Sequence, residues 1–293
     1  MIDYKNTNNA IKIAFSDFWG GFEYDPTGKE SFDNTLYSII SERYNIEISE
    51  NPDFLIYSVF GDAHKKYNNC KKIFYTGENR RPDFNQCDYS ISFDYMNDSR
   101  NHRFPLSGLI LYENKIFEQF EKKIDTEKIK AQKTKFCNFV FSNPNAPLRN
   151  QLFMKLSRYK RVDSGGIVFN NLGHTVGDKL DFISDYKFTI AFENSESPGY
   201  TTEKLVHPKL VDSIPIYWGN PEFGKDWNTK SVVNAYDYEN IDDLVDYIIE
   251  MDNDDDLYFK TLKEPHFNKK EITHDLDYRN LLDFLDRIFS NNI

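Results

Sequence analysis

Glu203 and Lys204 stand side by side, with Asn194 and Tyr200 a short way upstream. A lysine ammonium is a compact charge suited to a phosphate. A carboxylate can accept from two neighbouring hydroxyls, as on a ribose, and an amide and a phenol add further hydrogen-bonding groups. Together these residue types suit a nucleotide. The same residues also read as a solvated Glu-Lys pair opening an ordinary amphipathic helix.

The elements that would position them are legible around the group. Residues 186–192, YKFTIAF, are β-branched and aromatic and predict a buried strand. Residues 193–200 are polar and carry Pro198-Gly199, which predicts a loop. Residues 201–212 place Leu205, Val206, Leu210 and Val211 at helical spacing, with Thr201 or Thr202 as the cap. Pro208, after His207, should kink that helix or end its first segment. Residues 214–218 form a second apolar run, closed by Gly219. Strand, loop, helix and strand make one parallel βαβ unit. Such units hold ligands at the carboxyl ends of their strands, where free N–H groups and the helix dipole favour an anion.

The rest of the chain repeats this alternation. Strands are expected at 11–15, 54–60, 72–76, 89–93, 136–142 and 232–235. Helices are expected at 31–44, with Phe32, Leu36, Ile39 and Ile40 on one face, and at 148–159 behind Pro147, with Leu152, Phe153 and Leu156 inward. Two more are expected at 241–251 and 274–289, the last strongly amphipathic. Gly165-Gly166 marks a turn or a close approach. The charged stretch 117–135 reads either as a domain junction or as a surface helix. The fold class is α/β, with an N-terminal domain over 1–130 including the linker, a second domain over 131–270, and a C-terminal helix over 271–293.

Composition limits the partners. The formal net charge of −11 argues against a general binder of nucleic acid or anionic membrane. Three cysteines without a CxxC pair do not make a disulfide framework, and point to a reducing compartment. The first residues lack a signal-peptide core, and no stretch reaches the ~20 apolar residues of a membrane span. The expected location is the cytoplasm, with room for a peripheral association with the inner membrane.

FTIAFENSESPGYTTEKL followed by IPIYWG resembles the donor-binding signature of the α-1,3-fucosyltransferases, glycosyltransferase family ten. The similarity is to the bacterial enzymes that make Lewis-type antigens, and extends to IAFSDFWG, FYTGENRRPDF and FVFSNPNAPLRN. It implies a GT-B architecture of two Rossmann-like domains facing across a cleft that holds the active site. The first domain would serve the acceptor and the second GDP-fucose. The reaction implied moves L-fucose from GDP-β-L-fucose, with inversion, to the GlcNAc 3-hydroxyl of N-acetyllactosamine-type glycans. Other linkages, another GDP-linked sugar, or a catalytically silent sugar-nucleotide binder are the alternatives.

Inverting transfer needs a base for the acceptor hydroxyl and positive charge for the departing diphosphate. Among 47 acidic residues the resemblance selects Glu78, which follows Gly77 at the end of a predicted strand. Asp83 and Asp94 are rivals without the same match. Arg149, in the first turn of a helix, has a planar fork that can take two phosphate oxygens. With Lys204 it is expected on the diphosphate, beside Asn194, Tyr200, Ser142 and Asn143. Glu203 would hold hydroxyls of the ribose or of the fucose. Trp19 and Phe18, before Gly20-Gly21, either stack on the acceptor or belong to the core edge. No metal is expected to be required, although manganese could stimulate without being essential. Asp252-Asn253-Asp254 matches DxD, yet reads as part of a solvated acidic loop. His207 and His174 read as structural or surface residues.

Overall fold

Strands and helices alternate along the chain and form two separate parallel sheets in the computed structural model, which describes residues 10–20, 32–116, 123–269 and 271–290. Contacts divide the chain into Met1–Phe117 with Thr273–Ile293, and Glu118–Ile272. The charged stretch 117–135 spans the first boundary, and its residues 117–122 lie outside the described residues.

The first unit contains β1 (Ile11–Ser16), α1 (Phe32–Arg43), β2 (Ile46–Ile48), β3 (Phe54–Tyr57), β4 (Lys71–Tyr75), β5 (Tyr89–Ser92), β6 (Asn101–Arg103) and α2 (Leu106–Glu113). Its strands lie in the order β2-β1-β3-β4-β5-β6, all parallel. β1 registers Ile13 against Phe54 of β3. Leu36, Ile39 and Ile40 of α1 are fully buried, as their spacing predicts. Ser31, expected at the start of that helix, is outside the described residues. β3 is shorter than the run 54–60 suggests: it ends at Tyr57, and Phe60 emerges into solvent.

The second unit contains α3 (Thr126–Gln132), β7 (Lys135–Phe139), α4 (Pro147–Tyr159), β8 (Val162–Ser164), α5 (Lys179–Ile183), β9 (Tyr186–Phe192), α6 (Glu203–Leu210), β10 (Ile214–Trp218), β11 (Val233–Asn234), α7 (Ile241–Asn253) and α8 (Asp255–Lys263). The parallel order is β11-β10-β9-β7-β8. The order reverses at β7, so the switch point lies between β7 and β9, where such sheets accept ligands. Phe139, Phe188, Ile190, Phe192, Ile214 and Ile216 fill the core of this unit. A Cβ on Gly166 would lie 2.2 Å from the carbonyl oxygen of Phe141, so the close approach read from Gly165-Gly166 is real.

The last helix, α9, runs from Tyr278 to Ser290 and belongs to the first unit. Residues 274–276 form a separate single turn ahead of it, which shortens the helix expected over 274–289. Leu281, Leu282, Phe284, Leu285, Ile288 and Phe289 are all buried. Phe289 packs edge-on against Tyr44 at 4.9 Å, and Arg43 reaches Asp283 and Asp286 at 2.7 Å each.

Candidate functional site

The loop between β9 and α6 converges on a carboxylate absent from the candidate residues above. Glu193 follows the last residue of β9 and is fully buried. Its Oε1 accepts from the backbone N–H of Thr202 at 2.9 Å and from the Thr202 hydroxyl at 2.9 Å. Its Oε2 lies 3.2 Å from Lys204 Nζ. Lys204 also meets Glu203 Oε1 at 3.0 Å and donates to Thr202 Oγ1 at 3.1 Å. Thr202 is the cap, accepting from the N–H of Lys204. The site expected for an anion at this helix start is therefore occupied by the protein's own Glu193. The backbone N–H of Thr202 is spent on that carboxylate, and the side chain of Lys204 remains as the positive group.

Gly219 makes room for this arrangement. It follows β10 with φ +145°, and a Cβ there would lie 2.3 Å from Glu193 Cγ. A charged residue at the end of an apolar strand, facing a glycine at the end of the next, was the available sequence signal.

The electrostatics are those of a tightly balanced cluster. Burial raises the pKa of Glu193, with Lys204 and the Thr202 contacts opposing. Burial also works against the charge on Lys204, but Glu193 and Glu203 outweigh it and hold its pKa above the usual lysine value. Burial likewise opposes ionisation of Glu203, and Lys204 and Lys179 outweigh it in the other direction. Lys179, in the first turn of α5, is a further cation of this cluster that residue types alone did not single out. His207 is pushed down to about 4, by burial first and then by Lys179. It is neutral at physiological pH and carries no charge toward a ligand.

α6 differs from its sequence reading at the far end. It stops at Leu210, two residues after Pro208, and Leu210 and Val211 are only half-buried. Lys209 turns inward instead, with Nζ on the Ser231 hydroxyl at 2.5 Å.

Arg149 occupies the switch point. Pro147 opens α4, as expected, and places Arg149 in its first turn. The guanidinium is almost fully buried and lies over the Phe141 ring at 3.8 Å. Nη1 donates to Asn194 Oδ1 at 2.9 Å and Nη2 to the Asn143 carbonyl at 2.6 Å. Nη1 also approaches the Phe192 carbonyl at 3.5 Å, while buried Nε meets no acceptor among the described residues. Burial pulls the pKa of Arg149 down to about 10, with Glu193 opposing, and the group stays cationic. The fold thus joins Arg149, Asn194 and Asn143 in one hydrogen-bonded group. Ser142 is exposed in the same loop, and Tyr200 is buried, with its carbonyl facing the Tyr217 hydroxyl at 3.5 Å.

In the first unit Glu78 lies just beyond β4 and its residue is exposed. Its backbone N–H donates to Thr76 Oγ1 at 2.9 Å, and its carbonyl accepts from the N–H of Arg80 at 2.7 Å. The rivals are engaged elsewhere. Asp83 accepts from the N–H of Asn85 at 3.0 Å and from Gln86 Nε2 at 2.8 Å, contacts that lower its pKa. Asp94 is buried and paired with Arg81; burial raises its pKa despite that partner.

Phe18 and Trp19 separate sharply. Phe18 is in the core, stacked on Tyr75 at 5.9 Å, so it presents no face to an acceptor. Trp19 is 69% exposed and meets Phe60 edge-on at 5.1 Å. Gly21, of the same aromatic-glycine block, is outside the described residues. Asp17, which precedes this pair, has φ +60° and accepts from the N–H groups of Ala63 and His64 at 2.7 and 2.9 Å. Its Oδ2 also meets His64 Nδ1 at 2.5 Å, tying the loop after β1 to the loop after β3.

The DxD sequence is not the solvated loop expected. Asp252 and Asn253 end α7 and Asp254 caps α8 by accepting from the N–H of Leu257. The Asp252 side chain is 3% exposed and paired with Lys187 at 2.9 Å and Lys160 at 2.5 Å. A carboxylate committed to two ammonium groups is a poor metal ligand. Among the described residues no cluster of His, Cys, Asp and Glu is suited to hold a metal ion.

Comparison with known proteins agrees with this reading of the fold. Residues 13–112 match the α-(1,3)-fucosyltransferase FucT N-terminal domain, and residues 130–275 match the glycosyltransferase family 10 (fucosyltransferase) C-terminal region. The α-(1,3)-fucosyltransferase FucT of Helicobacter pylori is 35% identical over 96% of this chain and 66% of its own length. The chain thus spans about two thirds of that relative. A crystal structure of an α1,3-fucosyltransferase with GDP-fucose superposes with a TM-score of 0.80 at 33% identity, covering 97% of this chain and 91% of the other. HepE of Anabaena, solved with UDP and glucose, shares the fold alone, with a TM-score of 0.52 at 8% identity. The two doubly wound parallel sheets are of the GT-B type. The chain belongs to glycosyltransferase family 10, the fucosyltransferases.

Proposed function

We propose that the protein transfers L-fucose from GDP-β-L-fucose to the GlcNAc 3-hydroxyl of N-acetyllactosamine-type glycans, with inversion, giving a Lewis x type product. The observation that carries the donor half is the grouping of Arg149, Asn194 and Asn143 at the β7/β9 switch point of a family 10 sequence. A buried guanidinium and the Lys204 ammonium supply the charge that a departing diphosphate requires. The acceptor half is supported by Glu78, a carboxylate on an exposed loop where a substrate hydroxyl can reach it. Inversion follows if that carboxylate deprotonates the hydroxyl as it attacks the face of the anomeric carbon opposite GDP. Trp19 offers an exposed ring for the apolar face of the acceptor sugar. Metal is not required, because basic side chains do the electrostatic work, and manganese acts at most as a stimulant.

No described helix is long and apolar enough to cross a membrane. A cytoplasmic enzyme, peripheral to the inner membrane at most, is the setting we propose. The test is release of GDP from GDP-fucose with and without N-acetyllactosamine, in EDTA, with the product linkage read by NMR. Acceptor-stimulated release and a 1,3-linked fucose are expected. GDP-fucose binding without turnover would make the protein a silent relative, and complete loss in EDTA with rescue by metal would overturn the metal-independent reading.

A further inference from the structure

Two aromatic rings of the first unit stand in solvent, above backbone fixed by an unusual set of contacts. Trp19 is 69% exposed and Phe60 44%. The rings meet at 5.1 Å and 77°, so they form a corner rather than a flat plate. The indole N–H of Trp19 meets no acceptor among the described residues.

The support beneath them is buried and strained. Asp17 has a φ of +60°, a left-handed conformation that a residue with a side chain keeps only when its surroundings impose it. Its buried carboxylate accepts from the N–H groups of Ala63 and His64 and meets His64 Nδ1. Its carbonyl accepts from the N–H of Phe60 at 2.9 Å. A Cβ on Gly61 would lie 2.5 Å from Asp17 Oδ1, so glycine lets the two loops close on each other. His64 is also buried, with Tyr57 stacked on its ring at 4.3 Å and Gln86 Oε1 3.3 Å from Nε2. A single exposed aromatic ring is ordinary on a protein surface. Two rings set in a corner by a buried Asp-His pair are a built feature.

The place of this corner in the sheet says what it could hold. The loops after β1, β3 and β4 leave the same end of a parallel sheet, and β3 lies between the other two strands. At the strand ends, the loop bearing Phe60 is about 5 Å from the Glu78 loop, and the loop bearing Trp19 about 10 Å. Phe18 ties these loops together by stacking on Tyr75, the last residue of β4. The corner therefore lies beside Glu78, one sugar ring or two away, and not over it.

We propose that Phe60 completes with Trp19 a subsite for the sugar next to the one that receives fucose, and that His64 is its positioning residue. The assignment rests on the acceptor reading above, in which that neighbour is the galactose of N-acetyllactosamine. A pyranose carries C–H groups on its faces and hydroxyls on its edge. Galactose, with its 4-hydroxyl axial, leaves one face largely apolar. One aromatic ring can take that face and the other the flank, while the free indole N–H donates to an edge hydroxyl.

The test is initial-rate kinetics of the full chain on N-acetyllactosamine and on GlcNAc, which lacks the neighbouring ring, with GDP-fucose affinity read by calorimetry. Wild type should have a KM for N-acetyllactosamine well below that for GlcNAc. Trp19 and Phe60 are exposed, so Trp19→Ala and Phe60→Ala should fold. Each should raise the KM for N-acetyllactosamine by roughly 3- to 30-fold, the size of one aromatic contact, with little change in kcat. The ratio of kcat/KM between the two acceptors should shrink by the same factor, and GDP-fucose affinity should hold. His64→Ala should raise the same KM, and His64→Gln, whose amide can still donate to Asp17, should restore most of it. If His64→Ala fails to fold, the two surface substitutions decide. An unchanged N-acetyllactosamine KM in both, or an equal rise for both acceptors, would overturn the subsite while the acceptor reading stands. If wild type uses the two acceptors equally well, no neighbouring sugar is held and the proposal falls. If wild type binds GDP-fucose but transfers to neither, the acceptor reading falls and this assignment with it.

Discussion

Two loops at the carboxyl ends of parallel strands carry the proposed chemistry, and they are built in opposite ways. The loop after β9 is over-determined. Glu193 is sealed inside, Thr202 donates to it twice, and Lys204 sits between two carboxylates. The loop after β4 is sparse: Glu78 is exposed, and its hydrogen bonds run through its backbone. The difference follows from the two tasks. A group that stabilises charge in a transition state works best when already fixed, because reorganisation then costs nothing during reaction. A base must take up a proton and release it, and a carboxylate locked into several hydrogen bonds would have too low a pKa to do so. Asp83, bonded to Asn85 and Gln86, illustrates the locked case.

The largest effect is expected on the sparse side. Glu78→Gln keeps the shape of the side chain but cannot accept the acceptor's proton. Transfer should fall by roughly 100- to 10,000-fold, and GDP-fucose affinity measured by calorimetry should be nearly unchanged. Near wild-type transfer in a folded Glu78→Gln protein would move the base elsewhere, with Asp94 the next candidate.

On the fixed side, Arg149→Ala removes the cation at the switch point and leaves Asn194 Oδ1 and the Asn143 carbonyl without that donor. A contact of this kind is worth about 2–4 kcal/mol in the transition state, so kcat/KM for GDP-fucose should drop roughly 30- to 1,000-fold. Unchanged kcat/KM in a protein with wild-type circular dichroism would take Arg149 out of the donor site.

These contrasts were partly legible in the sequence. Tyr186–Phe192, Ile214–Trp218 and Pro147–Tyr159 were readable because apolar period and flanking signals agree. Arg149 and Lys204 were readable as cations in first helical turns. Glu193 was not, because its importance lies in a long-range fit to Gly219 and Thr202 that no local pattern carries. Phe18 and Trp19 are neighbours of similar chemistry, and only the backbone turn at Asp17 (φ +60°) accompanies one ring into the core and the other out. The DxD failed for a similar reason. Asp252 looks like one of several exposed acids, but Lys160 and Lys187 are brought to it from distant parts of the chain.

Glu193→Gln probes how far the fixed loop depends on its buried charge. The amide has an N–H group where the site provides donors, so one contact with Thr202 or Lys204 becomes donor against donor. Loss of such a bond costs about 1–3 kcal/mol of stability. Lys204 would then be held by Glu203 without its second carboxylate, and donor affinity should weaken by roughly three- to tenfold, less than for Arg149→Ala. A variant with wild-type melting temperature and wild-type GDP-fucose affinity would show that Glu193 does not position Lys204.

The smallest effect on transfer is expected at Asp252, which meets Lys187 at the start of β9, the opposite end of that strand from the Glu193 loop. Burial works against its charge, but hydrogen bonds from Lys160 and Lys187 outweigh burial and hold its pKa below the usual carboxylate value. A depressed folded-state pKa means that ionised Asp252 stabilises the fold above the unfolded-state pKa of about 3.9, and that this contribution is lost as pH falls through the folded-state pKa. Asp252→Asn should therefore cost about 1–3 kcal/mol at neutral pH. The gap in melting temperature between variant and wild type should shrink as the pH is lowered below about 4. Transfer at neutral pH should stay within a few-fold of wild type in EDTA. Wild-type transfer that is stopped by EDTA and restored by metal, together with a folded Asp252→Asn protein that metal does not restore, would instead place this aspartate at a metal and reverse the assignment of its two lysines as purely structural partners.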